Sequence, residues 1–91
     1  MARSGAATAP HQRALGAAVR ELRARRGFSQ EGLGLAGGLH RNYVGAIERG
    51  EINPTLRVLL KVCDGLAVPL SELASAYERQ MSDASARHLA A

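Results

Sequence analysis

Apolar residues recur along this chain at spacings of three and four, and no stretch alternates with the period of two that marks a strand. Leu15, Val19 and Leu22 predict a first helix starting near His11 or Gln12, with Arg20, Arg23, Arg25 and Arg26 on or near its other faces. Gly27 is placed to end it in the left-handed conformation that glycine tolerates. Ser29 is a good N-cap, and Glu31 in the first turn suits the helix dipole, so a short second helix is expected from Gln30 to about Ala36. Gly32 and Gly34 each cost that helix about 1 kcal/mol relative to alanine, so packing through Leu33 has to hold it. After Gly37-Gly38 a third helix is predicted from Arg41 to Glu48. Val44 and Ile47 face inward, with Leu39 just ahead of them, and Arg41, Asn42, Gly45, Ala46 and Arg49 face outward. Gly50 closes it. Thr55 caps a fourth helix with the expected buried stripe Leu56, Leu59, Leu60, Cys63 and Leu66. Pro69 suits the start of a fifth, marked by Leu70, Leu73, Tyr77 and Met81. The expected organisation is all-α in a single domain. An arm at 1–11 precedes a helical domain at 12–77, and residues 78–91 either extend the last helix or fray.

Composition narrows what such a bundle can do. Of 42 apolar residues among 91, 17 are alanine, and only Phe28, Tyr43 and Tyr77 are aromatic, so the core is small and a large ligand cavity is not expected. A single cysteine excludes an intrachain disulfide and a cysteine-based zinc site, and Cys63 on the inner face of the fourth helix reads as a small core residue. His11, His40 and His88 lack ligand spacing, so neither metal nor cofactor is expected, and no nucleophile–base arrangement points to an enzyme. No apolar run reaches the ~18 to 20 residues that span a membrane, and no apolar stretch follows Arg3 as in a secretory leader; the expected location is the cytoplasm. The net charge of +4 is unevenly spread. Residues 1–50 hold eight arginines against three glutamates, whereas residues 51–91 hold four basic against five acidic side chains. A basic half suits a polyanionic partner, although arginine-rich, alanine-rich composition also arises from genomic base bias.

Two short helices joined by a glycine-containing turn form the helix-turn-helix pattern, here over about residues 29–49. The B-DNA major groove is about 12 Å wide and admits one amphipathic helix, anchored by one face and reading base edges with the other. Residues 39–49 meet that demand. Arginine matches the O6/N7 edge of guanine and asparagine the N6/N7 edge of adenine, which makes Arg41 and Asn42 the candidate readers; small residues at Gly45 and Ala46 would permit close approach.

The run Phe28-Ser-Gln-Glu-Gly-Leu, followed by Gly38-Leu-His-Arg-Asn-Tyr-Val-Gly-Ala-Ile-Glu-Arg-Gly-Glu-Ile-Asn-Pro-Thr-Leu, resembles the XRE family of Cro/phage-repressor-type helix-turn-helix proteins, over about residues 15–73. The resemblance implies a compact five-helix, lambda-repressor-like bundle whose second and third helices form the motif. It implies base contacts from Arg41, Asn42, Ala46 and His40, and phosphate contacts from Gln30, Tyr43 and Arg49. It also implies an ion pair, Arg23 with Glu48, tying the first helix to the third. The chain departs from the family pattern at Gly32, Gly34 and Gly37, at His40 where Thr, Ser or Asp would cap better, and at Ala67 where glycine commonly ends the fourth helix.

The expected function is sequence-specific binding of double-stranded DNA by a small transcriptional regulator with no small-molecule effector. One recognition helix covers few base pairs. A homodimer on a palindromic operator, with half-sites ~34–36 Å apart, is therefore expected, and Leu70, Leu73, Tyr77 and Met81 form the candidate seam. The alternative is a protein-interaction module, an antitoxin or adaptor, for which DNA binding is secondary.

Overall fold

In the computed structural model the described residues are 9–90, with side chains described for 9–86. They form five helices: α1 (Pro10–Arg26), α2 (Gln30–Gly37), α3 (Arg41–Glu48), α4 (Leu56–Leu66) and α5 (Leu70–Ala90). Each boundary has a local cause. Pro10 occupies the first turn of α1, where its missing N–H costs nothing. The Ala9 carbonyl accepts from the amides of Gln12 and Arg13, and the Gln12 side chain accepts in return from the Ala9 amide at 3.2 Å. The helix therefore begins ahead of His11, and the arm expected at 1–11 ends sooner than the pattern suggested; its residues 1–8 lie outside the described residues. Ser29 and Thr55 cap α2 and α4 by accepting from the amides of Gly32 and Val58. At the other end of the chain α5 continues well past residue 77. Glu21 on α1 secures it there, accepting from Arg79 at 2.9 Å and Gln80 at 3.2 Å while also pairing with Arg25.

The core lies where all five helices converge, around Val19, Leu22, Leu33, Val44, Ile47, Val62, Leu66 and Leu73. Helix α4 is rotated from its expected face. Val62 is fully buried, whereas Leu56 is 60% and Leu60 43% exposed. The arc that packs inward is Leu59, Val62, Cys63 and Leu66, so the two leucines that seemed central form its outer shoulder. Cys63 is buried, and its thiol is pushed up by that burial and by the adjacent Asp64 charge, which keeps it protonated and unreactive.

The glycines of α2 also have a packing role. A Cβ on Gly37 would lie 2.5 Å from the Lys61 carbonyl oxygen, and one on Gly65 would lie 2.9 Å from the Gly37 amide nitrogen. Helices α2 and α4 cross backbone to backbone at this pair. The propensity lost at Gly37 is the cost of that approach, whereas a Cβ on Gly34 would run into the Leu39 carbonyl oxygen in the turn to α3.

Ala67 ends α4 in the left-handed region, with φ 57° and ψ 44°, where its Cβ crowds the backbone. It is exposed, so a glycine there removes strain without removing contacts. Ala67→Gly is expected to stabilise the fold by about 0.5–1 kcal/mol, because the relief of the ~1–2 kcal/mol left-handed penalty exceeds the extra entropy of an unfolded glycine. Thermal denaturation monitored by circular dichroism checks this, and a lower midpoint would show the cap to be unstrained.

Among the described residues, no helix is long and apolar enough to cross a membrane.

Candidate nucleic-acid interface

The two short helices are locked together by one buried carboxylate. Glu48, the last residue of α3, has a side chain with no exposed surface. Arg23 of α1 grips it through two bonds, Nε to Oε2 at 2.6 Å and Nη2 to Oε1 at 3.0 Å, and donates Nη1 to the Phe28 carbonyl at 2.8 Å. The side-chain Nε2 of Gln30, the first residue of α2, donates to Glu48 Oε1 at 3.0 Å, and Arg20 approaches the same oxygen at 3.6 Å. Burial pushes the Glu48 carboxyl up. The bonds from Arg23 and Gln30 and the charges of Arg23 and Arg20 outweigh this and hold it below its ordinary range. One anion thus joins the end of α1, the entry into α2 and the end of α3, and so fixes how α3 is presented.

Helix α3 divides as its sequence pattern requires. Val44 and Ile47 are buried, Leu39 packs ahead of them, and Arg41, Asn42 and Arg49 are exposed. His40 is the N-cap, and its Nδ1 accepts from the Asn42 amide at 3.0 Å. That bond requires an unprotonated Nδ1, so the ring spends one nitrogen on the helix and keeps only its Nε2 edge for an outside partner. Tyr43 is half-buried against the core. Ala46 is half-buried.

Gly45, expected on the open face, is buried. The reason is local: a Cβ there would meet Arg49 Nη1 at 2.9 Å and Gln30 Oε1 at 3.3 Å. Its smallness lets those two side chains lie across the helix, where they stand together over one point of α3. Gln30 is half-buried in this arrangement, not free at the helix start.

Two residues that sequence reasoning missed bear on the site. Glu51 accepts from Arg49, Nε to Oε2 at 2.8 Å and Nη2 to Oε1 at 3.2 Å, and Glu31 lies 3.7 Å from Arg41 Nη1. The signal for Glu51 was the intervening Gly50, whose φ of 73° reverses the chain and sets residues 49 and 51 side by side. Nothing in the sequence marks Glu31 as a neighbour of Arg41, because the pair spans the turn between helices.

The expected seam on α5 is only partly available. Leu73 is 2% exposed and belongs to the core of the single chain, so it cannot serve an interface. Leu70 is 40% exposed and remains available, and Tyr77 and Met81 are half-buried. Helix α5 turns its Leu73–Ala76 edge inward, which leaves Leu70 at the rim of a hollow of about 260 Å³ shared with Leu15, Leu59 and Tyr77.

Residues 19–73 match the Helix-turn-helix family model, a span that contains all of α2, α3 and α4. The chain belongs to the XRE-type helix-turn-helix family. Within that family it is 44% identical over 55 residues to the uncharacterized HTH-type transcriptional regulator YgzD of Bacillus subtilis (strain 168), covering 60% of this chain and 83% of that one. It is 40% identical over 63 residues to the HTH-type transcriptional regulator SutR of Escherichia coli (strain K12), covering 69% of this chain but only 35% of SutR. Among solved structures it is similar to the clp gene regulator ClgR from Corynebacterium glutamicum, with TM-score 0.81, 27% identity and coverage of 86% and 83% of the two chains. The restriction-modification controller protein C.AhdI from Aeromonas hydrophila gives TM-score 0.66 and 42% identity over 68% of this chain and 94% of that one. The five-helix, all-α bundle expected of an XRE-type protein is the fold observed.

Proposed function

We propose that this chain is a transcriptional regulator that binds double-stranded DNA in a sequence-specific way and acts in the cytoplasm as a homodimer on a palindromic operator. The observation that carries the reading is the division of α3. Its aliphatic edge is buried, its Arg41–Asn42 edge is exposed, and Glu48 fixes its angle to α2. Arg41 and Asn42 read base edges in the major groove, with Ala46 one turn further along and the Nε2 edge of His40 beside them. Gln30, Arg49 and Tyr43 contact phosphate and set the register. The Nη1 group of Arg49 remains for that purpose beside Gly45, and Gln30 has a second side-chain amide hydrogen besides the one given to Glu48.

Selection of bound duplexes from a random pool supplies the operator, and two substitutions then separate the roles. Arg41→Ala is expected to relax preference at one base position, with a cost of about 1–3 kcal/mol on the selected sequence. Arg49→Ala is expected to weaken all sequences alike and to reduce the salt slope by about one. Unchanged relative affinities across operator variants would remove Arg41 from base reading. If no duplex is retained at any salt, the fold serves a protein partner instead.

Dimerisation is read from the apolar surface. Leu70 and Tyr77 on α5 line one hollow, and Leu56 and Leu60 on the preceding helix are also large and exposed, so the seam is proposed to draw on these four in place of the buried Leu73. A Leu56→Asp/Leu70→Asp variant is expected to elute with the mass of one chain where the unaltered protein elutes with that of two. A variant that kept the dimer mass would move the seam elsewhere.

A further inference from the structure

The arginine that follows the recognition helix already holds an anion. Glu51 takes the Nε and Nη2 hydrogens of Arg49 in a two-bond fork, and the φ of 73° at Gly50 sets the two residues side by side. Both side chains are about half exposed, at 53% and 52%, so the pair lies on the surface. Each partner shifts the other, Glu51 holding the guanidinium more firmly protonated and Arg49 holding the carboxyl more firmly ionised.

We propose that Glu51 is an intramolecular competitor of DNA phosphate for Arg49, and that it holds down sequence-independent binding. The inference rests on the reading of α3 and Arg49 as a DNA-contacting surface. The Nε–Nη2 edge that Glu51 occupies offers the two-bond fork that a phosphate could equally take, and only the Nη1 side of the guanidinium is left to an incoming phosphate while the pair holds. An incoming phosphate must therefore displace the carboxylate or share the guanidinium with a like charge. Either course costs the same on every sequence, because phosphates carry no base information. On a chain of net charge +4, whose binding to arbitrary DNA comes from such contacts, this cost damps the background while Arg41 and Asn42 retain their discrimination. Glu31 stands in a looser version of the same relation to Arg41, at 3.7 Å without a fork.

The test is equilibrium binding of the full chain to a scrambled-sequence duplex of about 30 base pairs across a salt series. The proteins compared are the unaltered chain, Glu51→Gln, Arg49→Ala and the double variant. Glu51→Gln is expected to tighten binding about two- to fivefold, the range an exposed ion pair commands, and to steepen the salt slope by a fraction of the roughly one unit that a single phosphate contact contributes. With Arg49→Ala in place, Glu51→Gln should give none of that gain. The competitor role is overturned if Glu51→Gln leaves binding unchanged or weaker. It is equally overturned if the same tightening persists without Arg49, since that is a general field effect of one lost charge. These failures differ from failure of the interface itself, in which Arg49→Ala would leave affinity and salt slope untouched. Melting curves of the four proteins confirm that these surface changes leave the fold intact.

Discussion

Arg23→Ala is expected to destabilise the protein by about 3 kcal/mol, the loss typical when one member of a buried pair is removed and the other charge is stranded. Glu48 would keep only Gln30 and an Arg20 guanidinium at 3.6 Å that is itself 59% exposed, too little to compensate a carboxylate with no solvent contact. For a domain of this size the thermal midpoint should fall by on the order of 15 °C. The Phe28 carbonyl would lose its donor in the same step, so the entry to α2 loosens as well. A drop of only a degree or two would mean that the anion is solvated on removal of its partner.

The pH dependence of the pair has a definite sign. The Glu48 carboxyl is held below its ordinary value of 4.5 in the folded chain. It therefore contributes stability that is fully present above its unfolded value and is lost as pH falls through the lower folded value. The gap in melting temperature between the unaltered chain and Glu48→Gln should accordingly be widest at neutral pH and narrow below about pH 4.5. A gap independent of pH would remove the charge from the explanation and leave shape alone.

Gly16→Ala is the second large expected effect, and its sign is opposite to what helix propensity alone would give. In an exposed helix interior the change gains roughly 1 kcal/mol. At this position the added Cβ would lie 2.5 Å from the Glu48 carbonyl oxygen and closer still to that of Ile47. Both are backbone atoms of α3 and cannot rotate away, so α1 and α3 must separate. Overpacking of this kind costs about 1–3 kcal/mol or more. The net expectation is a loss of about 2 kcal/mol, accompanied by weaker DNA retention because the Arg23–Glu48 lock spans the same crossing. Chemical denaturation gives the energy, and an increase in stability would show that the two helices are free to shift.

Much of this architecture was legible in the chain because it rests on local rules. The bounds of α3 follow from an amphipathic pattern of period 3.6 between two glycines, and the caps at Ser29 and Thr55 follow from hydroxyl chemistry. The Arg23–Glu48 bond was reachable through the resemblance to XRE-type proteins but not through spacing, since 25 residues separate the partners. The start of α1 at Pro10 carries no side-chain capping signal in the sequence, and of the α4 stripe Leu59, Cys63 and Leu66 pack inward while Val62 takes the place of Leu56 and Leu60, a choice set by the neighbouring helices.

The order of residues by itself determined five helices, the buried aliphatic and exposed Arg-Asn edges of α3, and a basic first half, since each depends on neighbours within a few positions. Which leucines remain exposed, why Gly16, Gly37 and Gly65 must be small, and which anion each arginine holds were decided only by the packed chain. Those properties depend on atoms from separate helices meeting within about 3 to 4 Å, and no periodicity along a single segment encodes such a meeting.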